Sequence, residues 1–289
     1  MMTRTAQVAS SWDAAAAGWN QHGTLIHDWL YSATQTMLDD AHIAPGARVL
    51  DIAAGAGDQT LDIARRVGSQ GWVLATDVSP GILALAQANA VAAGLTQVSS
   101  QVADAQTLGL AGAAFDAAVC RLGLMFCRSP LAALREIRAA LKPGGRFSAL
   151  VFGRPERNPC LTITIQTARR HAGLASAPVS AGETGGAFEP GSLLSLGQPG
   201  LLAELLHTAG FVGVAVHAVP APFYAPSAAH YVDFLRSSAS PILDILAPLS
   251  AVAKQAAWHD LTDQLQVFST PHGWVGPNEL LSCVAVAPL

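Results

Sequence analysis

Between residues 48 and 152, short apolar runs alternate with stretches of helical pattern, and this alternation constrains the fold more than any other feature. The apolar runs lie at residues 48–53, 72–77, 97–103, 115–120 and 146–152. The helical patterns lie at residues 58–67, 80–93 and 130–141. Strands separated by helices of this length form βαβ units, whose strands run parallel in one sheet. Such sheets bind ligands outside the carboxyl ends of their strands, where the strand order reverses.

The rest of the chain is mostly helical in pattern. Helices are predicted at residues 12–20, 29–41, 158–172, 200–209, 228–238 and, for the most part, 241–267. Two further strands are predicted at 211–219 and 280–287, a turn at 142–145 and a Gly/Ser-rich loop or lid at 181–196. We therefore expect a helical lid (1–45), a ligand-binding core (46–153) and a segment (154–289) that adds pocket helices, a lid loop and closing strands to the same domain.

Composition excludes several classes of protein. The chain has 289 residues, is 51% hydrophobic and only 12% charged, and carries a formal net charge of −4. These values argue against intrinsic disorder and against a broad nucleic-acid surface. The longest stretch without a formal charge, residues 205–232, contains three prolines and three histidines, so it does not predict a membrane span.

Cysteine use and the N-terminus point to a reduced compartment. Cys120, Cys127, Cys160 and Cys283 are scattered and form no CxxC pair, so neither a zinc site nor a disulfide framework is expected. The histidines are too dispersed to predict a metal site. The N-terminus has no apolar core of a signal peptide, and a cytoplasmic location is therefore expected.

The sharpest motif is the segment VLDIAAGAGD at residues 49–58, in which a strand runs into a Gly-x-Gly turn and then a helix. Glycines allow a ligand to lie against bare backbone, and a helix start offers unpaired N–H groups. A dinucleotide-binding loop would carry a third glycine where Thr60 stands. Asp51 inside the strand suits a ligand with a positively charged amino or sulfonium group better than a pyrophosphate.

Two more acidic residues follow the next strands. Asp77 ends the second strand, and a carboxylate there can accept hydrogen bonds from both hydroxyls of a ribose. Asp104 follows the third strand and can accept a hydrogen bond from an adenine amino group. Together with Asp51 and the glycine turn, these acids predict a nucleoside pocket.

In this order the motifs resemble class I S-adenosylmethionine-dependent methyltransferases over roughly residues 10–152. The matching segments are VLDIAAGAG, ATDVS, VADAQTL, FDAAVCRLGL and LREIRAALKPGGRF. The N-terminal residues Trp19 to His22 and His27 to Trp29 are similar to the branch that contains ubiquinone/menaquinone-biosynthesis C-methyltransferases. The resemblance implies an α/β fold with a doubly wound, mostly parallel seven-stranded sheet of the Rossmann-like methyltransferase type, N-terminal helices and a helical cover.

The resemblance also implies a set of S-adenosylmethionine contacts. The residues expected to line the methionine portion are Ala53, Gly55, Ala56 and Gly57. Asp51 is expected near the amino group, directly or through water, and Arg121 near the methionine carboxylate or the substrate. The residues expected at the ribose and adenine are Asp77, Val78, Asp104 and Ala105.

Methyl transfer from a sulfonium depends mainly on alignment and exclusion of water, so an obvious base is not required. If one is used, His22 and His27 in the N-terminal segment are the candidates. Trp12, Trp19 and Trp29 stand at near-helical spacing, which predicts core packing, although one of them could cover the cofactor.

The expected function is methyl transfer from S-adenosylmethionine to a small apolar or aromatic acceptor, with S-adenosylhomocysteine as product. The methylated atom, the pathway and the oligomeric state do not follow from the sequence. The alternatives are an NAD-dependent oxidoreductase and a non-catalytic S-adenosylmethionine-binding module. Nucleic-acid methylation is disfavoured by charge and because the segment at residues 120–123, CRLG, replaces an Asn-Pro-Pro-aromatic element.

Overall fold

A seven-stranded sheet forms the centre of the computed structural model, which describes residues 4–110, 112–174 and 189–289. Its strands are β1 (Arg48–Ile52), β2 (Trp72–Asp77), β3 (Val98–Val102), β4 (Phe115–Arg121), β5 (Leu141–Phe152), β6 (Val212–Pro220) and β10 (Glu279–Val286). The spatial order is β3-β2-β1-β4-β5-β10-β6, and β10 alone runs antiparallel to its neighbours. The predicted mostly parallel, doubly wound sheet is therefore confirmed.

The central strands are buried on both faces, and this explains their continuous apolar sequences. β1, β2 and β4 are almost wholly buried, whereas the edge strands β3 and β6 expose about every other residue or more. In the register of the sheet, Asp51 of β1 lies between Ala75 of β2 and Val119 of β4. A carboxylate at this position is consequently enclosed by the sheet and by the helices that cover it.

Helices pack on both faces of the sheet and over its carboxyl edge. They are α1 (Arg4–Gln21), α2 (Gly23–Asp40), α3 (Asp58–Val67), α4 (Pro80–Ala92), α5 (Pro130–Ala140), α6 (Pro159–His171), α7 (Leu201–Thr208), α8 (Ala228–Ser238), α9 (Ser240–Leu246) and α10 (Ala251–Leu265). The helices that begin after β2 and β4 are capped by Ser79 and Ser129, whose hydroxyls accept backbone N–H bonds three residues on.

The apolar residues of the chain collect mainly in one continuous core on both faces of the sheet. This core accounts for the high hydrophobic content without a membrane segment being needed. Among the described residues, no helix combines the length and the apolar character that crossing a bilayer requires. The four cysteines are buried and unpaired.

The structure differs from three local predictions and describes part of a fourth segment. A small second sheet, formed by β7 (Phe223–Ala225), β8 (Ser269–Thr270) and β9 (Gly273–Gly276), was not expected. The helical stretch at 241–267 is two helices, α9 and α10, and a short 3-10 turn. The turn at 142–145 lies inside β5 as an irregularity of the β4–β5 register. Of the loop expected at 181–196, residues 181–188 lie outside the described residues and 189–196 form turns.

Candidate active site

A cavity of about 400 Å³ lies at the carboxyl ends of β1, β2, β4 and β5. Residues of α1, α2, α6, α8 and α9 enclose it from above. Two residues just beyond strand ends, Ala53 after β1 and Leu122 after β4, line it with left-handed backbone at φ 54° and 57°. A Cβ on the adjacent Gly123 would lie 2.3 Å from the Cβ of Ala53. The chain thus requires glycine where the loops after β1 and β4 separate, which is the predicted ligand position in such sheets.

Hydrogen bonds hold Asp77 and the glycine turn together at the carboxyl end of β2. The Asp77 Oδ2 accepts the backbone N–H of Gly55 at 3.0 Å, and its Oδ1 accepts that of Ser79 at 3.0 Å. Burial raises the pKa of Asp77 above its usual value, and these N–H bonds act in the opposite direction. A carboxylate can accept about four hydrogen bonds, so Asp77, which lines the cavity, keeps capacity for ligand hydroxyls.

Gly55 leaves open space in front of this carboxylate. It has φ 57° and lines the cavity, and a Cβ added to it would lie 3.3 Å from Nε1 of Trp19. Val78, which was expected to flank the adenine, also lines the cavity. The structure therefore brings Ala53, Gly55, Asp77 and Val78 together as the sequence predicts.

The loop after β3 contributes the predicted residues Asp104 and Ala105, which both line the cavity. The Asp104 Oδ1 accepts the backbone N–H of Gln106 at 2.9 Å and its side-chain amide at 3.1 Å. Gln106 also lines the cavity, so this loop presents both acceptors and an amide.

Asp51, which was expected near the ligand's amino group directly or through water, does not line the cavity. It is fully buried and accepts hydrogen bonds from Thr60 Oγ1 at 2.6 Å and from Gln59 Nε2 at 3.1 Å. Burial raises its pKa to about 6. Gln59 lines the cavity and donates to Asp51, so the Asp51 carboxylate holds a lining residue and is not itself part of the lining.

Ala56 and Gly57, which were expected along the methionine portion, are not part of the cavity lining. Ala56 packs in a small apolar cluster with Ala16 and Ile82. Gly57 precedes α3 with φ 91°, and a Cβ there would lie 3.0 Å from Ala86 of α4. The second glycine therefore serves close helix packing at this site.

Arg121 lines the cavity and already has a carboxylate partner. Its side chain is 3% exposed and forms an ion pair with Oδ2 of Asp58 at 2.6 Å, while it also donates to Thr34 Oγ1 at 2.9 Å. A charge buried this deeply needs such a partner. Asp58 neutralises it, and any contact of Arg121 with a ligand is made by the N–H groups that remain.

The two candidate bases do not line the cavity. His22 Nε2 lies 3.0 Å from Ser237 Oγ, and its ring meets Phe234 edge-on. His27 Nδ1 lies 2.9 Å from Oδ1 of Asp58. The geometry therefore gives no support to a general base at either position and places His27 beside the carboxylate that pairs with Arg121.

All three N-terminal tryptophans line the cavity, so they do more than pack the core as expected. Trp12 and Trp19 of α1 meet edge-to-face with centroids 6.1 Å apart, and Trp29 of α2 stacks on Phe152 at 6.3 Å. α1 is fastened to the start of α4 because Asp13 accepts the hydroxyl of Ser79 and, at 2.9 Å, the N–H of Gly81. The predicted N-terminal lid is thus an aromatic cover over the cavity.

Charged residues are few in the lining of the cavity. Its charged residues are Asp77, Asp104, Arg121 and Arg128. Every described lining residue beyond Arg128 is uncharged, and these are Phe152, Leu161, Thr164, Ile165, Leu193, Tyr231, Phe234, Leu235, Ser238, Ala239, Pro241, Ile242 and Asn278.

Sequence reasoning missed several of the polar lining residues, above all Gln59, Gln106, Tyr231 and Asn278. Gln59 and Gln106 stand next to recognised motifs, so their position was a usable signal. Tyr231 and Asn278 belong to no motif, and only tertiary folding brings them to the sheet edge.

The comparison with known proteins decides the domain type. Residues 49–145 match the family described as "Methyltransferase domain". These residues form a class I S-adenosylmethionine-dependent methyltransferase domain. S-adenosylmethionine is the cofactor of this class.

Two curated relatives resemble this methyltransferase domain. A ubiquinone/menaquinone biosynthesis C-methyltransferase of Teredinibacter turnerae is 38% identical over 117 residues, which are 40% of this chain and 47% of that protein. An aklanonic acid methyltransferase of Streptomyces sp. is 30% identical over 148 residues, 50% of this chain and 66% of that protein. The matched region thus spans only about half to two thirds of these relatives.

The fold is shared more widely. Phosphoethanolamine N-methyltransferase 2 of Haemonchus contortus, solved in complex with S-adenosyl-L-methionine, aligns with a TM-score of 0.57 at 17% identity. The alignment covers 93% of this chain and 57% of that one. At this identity the likeness concerns the fold alone.

Proposed function

We propose that this protein transfers the methyl group of S-adenosylmethionine to a small, apolar and uncharged organic acceptor. One observation carries the proposal: one cavity is lined both by the carboxylate of Asp77 with the bare backbone of Gly55 and by a larger set of aromatic and aliphatic side chains. A donor that is a polar cation suits the first group, and an apolar acceptor suits the second, which we assign as the acceptor end.

The residues that would hold the cofactor fit its parts. Asp77 would accept the ribose hydroxyls, Asp104 and Ala105 would face the adenine, and the bare backbone of Gly55 would lie along the methionine portion. The carboxylates also favour a cationic ligand at this end of the cavity. When bound, S-adenosylmethionine supplies a methyl group on a positively charged sulfur and leaves as S-adenosylhomocysteine.

The chain itself contributes positioning and exclusion of water. Trp12, Trp19 and Trp29 cover the cavity, and its largely apolar lining leaves few polar groups to retain water. Two relatives are named as a ubiquinone/menaquinone biosynthesis C-methyltransferase and an aklanonic acid methyltransferase, which supports an apolar organic acceptor.

Thermal shift with S-adenosylhomocysteine and NADH tests the cofactor. A ligand at 100 times its Kd should stabilise the fold by about 2.7 kcal/mol, and we expect this for S-adenosylhomocysteine alone. Stabilisation by NADH without S-adenosylhomocysteine would instead support an oxidoreductase.

Transfer of a labelled methyl group to a panel of uncharged aromatic acceptors then tests the reaction. We expect label in at least one product. Tight cofactor binding without turnover on any acceptor would support the non-catalytic binding module.

A further inference from the structure

Asn278 lies in the acceptor end of the cavity because β10 is inserted antiparallel into the sheet. β10 runs antiparallel, so its first residues lie at the carboxyl edge of the parallel strands, with Leu280 opposite Phe152 at the end of β5. Asn278 directly precedes β10, lines the cavity and is 6% exposed. A buried amide is therefore presented to whatever fills this end.

The side-chain amide of Asn278 is incompletely hydrogen-bonded. Its Nδ2 faces the carbonyl oxygen of Gly276 at 3.5 Å, and no residue that the structure describes donates to its Oδ1. Because Gly276 offers only an acceptor there, the NH₂ group must face it and the oxygen must face away. Buried acceptors without a partner are rare in folded proteins and cost stability.

A neighbouring asparagine shows what a structural amide looks like in this fold. Asn158 is fully buried, and its Nδ2 donates to Arg154 O and Glu279 O, both at 3.0 Å. Its Oδ1 accepts the N–H of Glu279, the residue that follows Asn278, at 3.0 Å. Side-chain hydrogen bonding at the start of β10 is thus supplied by Asn158, and the backbone of Asn278 is separately held by Ala221 N–H at 2.9 Å.

We propose that Oδ1 of Asn278 accepts a hydrogen bond from a neutral hydroxyl or amino group of the methyl acceptor, and so selects acceptors that carry such a donor. The proposal rests on the proposed function, since it assigns the uncharged end of the cavity to the acceptor. A neutral donor suits this part of the lining, because the lining residues that follow Arg128 in the sequence carry no charge to pair with an ammonium.

Tyr231 is an aromatic residue of this wall that bears a hydroxyl group. Burial raises the pKa of its phenol well above the usual value, so it stays neutral throughout the working range of pH. Tyr231 stacks on Trp274 with centroids 4.6 Å apart, which fixes its ring. It therefore adds a fixed, neutral aromatic side chain to this wall.

Asn278→Leu tests this assignment because leucine keeps the size and removes the acceptor. Wild type and variant are saturated with S-adenosylhomocysteine, and binding of matched pairs is followed through quenching of the cavity tryptophans. The pairs are 1-naphthol with 1-methoxynaphthalene and hydroxyanthraquinone with methoxyanthraquinone. We expect wild type to prefer the hydroxyl member of at least one pair by about tenfold and Asn278→Leu to lose that preference.

The controls separate a binding role from a structural one. Asn278→Leu should keep the Kd for S-adenosylhomocysteine and melt no lower than wild type, since no satisfied side-chain bond of normal length is removed. Asn158→Leu removes three satisfied bonds and should melt lower.

Two results overturn the inference: wild type prefers no hydroxyl compound, or Asn278→Leu retains the preference. A melting temperature of Asn278→Leu well below wild type would likewise show a structural amide. If wild type does not bind S-adenosylhomocysteine at all, the proposed function itself fails, which is a separate result.

Discussion

Replacing Asp51 by asparagine should remove a pH-dependent part of the stability of the fold. The Asp51 carboxylate is fully buried between Thr60 and Gln59, and burial raises its pKa from 3.8 to about 6. Asparagine has nearly the same shape, and its Oδ1 can still accept one of the two hydrogen bonds. The substitution therefore changes the titration more than the packing.

The sign follows from proton binding. A carboxyl whose pKa is higher in the folded than in the unfolded chain binds its proton more tightly when folded. Its favourable contribution is complete below pH 3.8 and is lost as the pH rises through about 6. At about 1.36 kcal/mol for each pKa unit, this loss reaches at most about 3 kcal/mol near pH 7. Relative to wild type, Asp51→Asn should become more stable by up to that amount between pH 4 and pH 7.

Urea unfolding at intervals from pH 4 to pH 8 measures this difference. Other acids with shifted pKa values, raised for Asp77 and lowered for Asp116 and Asp260, titrate in both proteins and largely cancel. Asp263→Asn, at an exposed carboxylate of α10, controls for the loss of one negative charge. A wild type–to–Asp51→Asn difference that stays constant with pH would refute the reasoning, because Asp51 would then titrate alike in the folded and unfolded chains.

Three further predictions concern the cofactor end and the histidines. Asp77→Asn should weaken S-adenosylhomocysteine binding by about 1–3 kcal/mol through lost charged hydrogen bonds; an unchanged Kd in calorimetry would remove the ribose assignment. Gly55→Ala should cost about 1–2 kcal/mol of stability because of its left-handed backbone, and it should weaken S-adenosylhomocysteine binding; wild-type affinity would mean that the ligand does not lie against this loop. His22→Ala and His27→Ala should leave kcat within a few-fold, and a drop of about 10²–10⁴ would restore the general-base role.

The parts of the fold that were predictable are those governed by local sequence. The first two strands are short, continuous apolar runs, and α3 lies between Gly57 and Gly68. Asp77 ends the second strand, and Gly55 follows the first. A strand end followed by a glycine turn places its residues at the sheet edge without reference to distant contacts. That is why the sequence could place these residues at the sheet edge.

Some errors came from signals that were present. Pro248 and Ser250 stand between α9 and α10, and a proline with a serine cap marks a helix break as clearly as it does after β2. The sequence could not predict whether Asp51 lines the cavity. A buried strand has neighbours on both faces, and its sequence does not tell which side chain reaches the cavity. The strands β7, β8 and β9 have only two to four residues each, too few to show a period.

The acceptor half depends on long-range contacts that no local pattern reveals. Asn278 comes to the cavity only because β10 inserts antiparallel between β5 and β6, and Tyr231 only because α8 packs across α1. In the linear sequence an asparagine before a strand is an ordinary turn residue. Only the structure shows that the Asn278 side chain is buried and that no described residue donates to its Oδ1.

The charges around α3 argue against a dinucleotide at this site independently of the missing third glycine. A pyrophosphate would bind at the start of the helix after the glycine turn, where unpaired N–H groups and the helix dipole attract anions. In this chain Asp58 stands in that first turn, and its carboxylate already faces Arg121 and His27. Arg121 is therefore engaged, and a second anion would meet Asp58 and Asp77 in a poorly solvated space. The same arrangement favours a ligand that brings positive charge and no phosphate, which is the character of a sulfonium nucleoside.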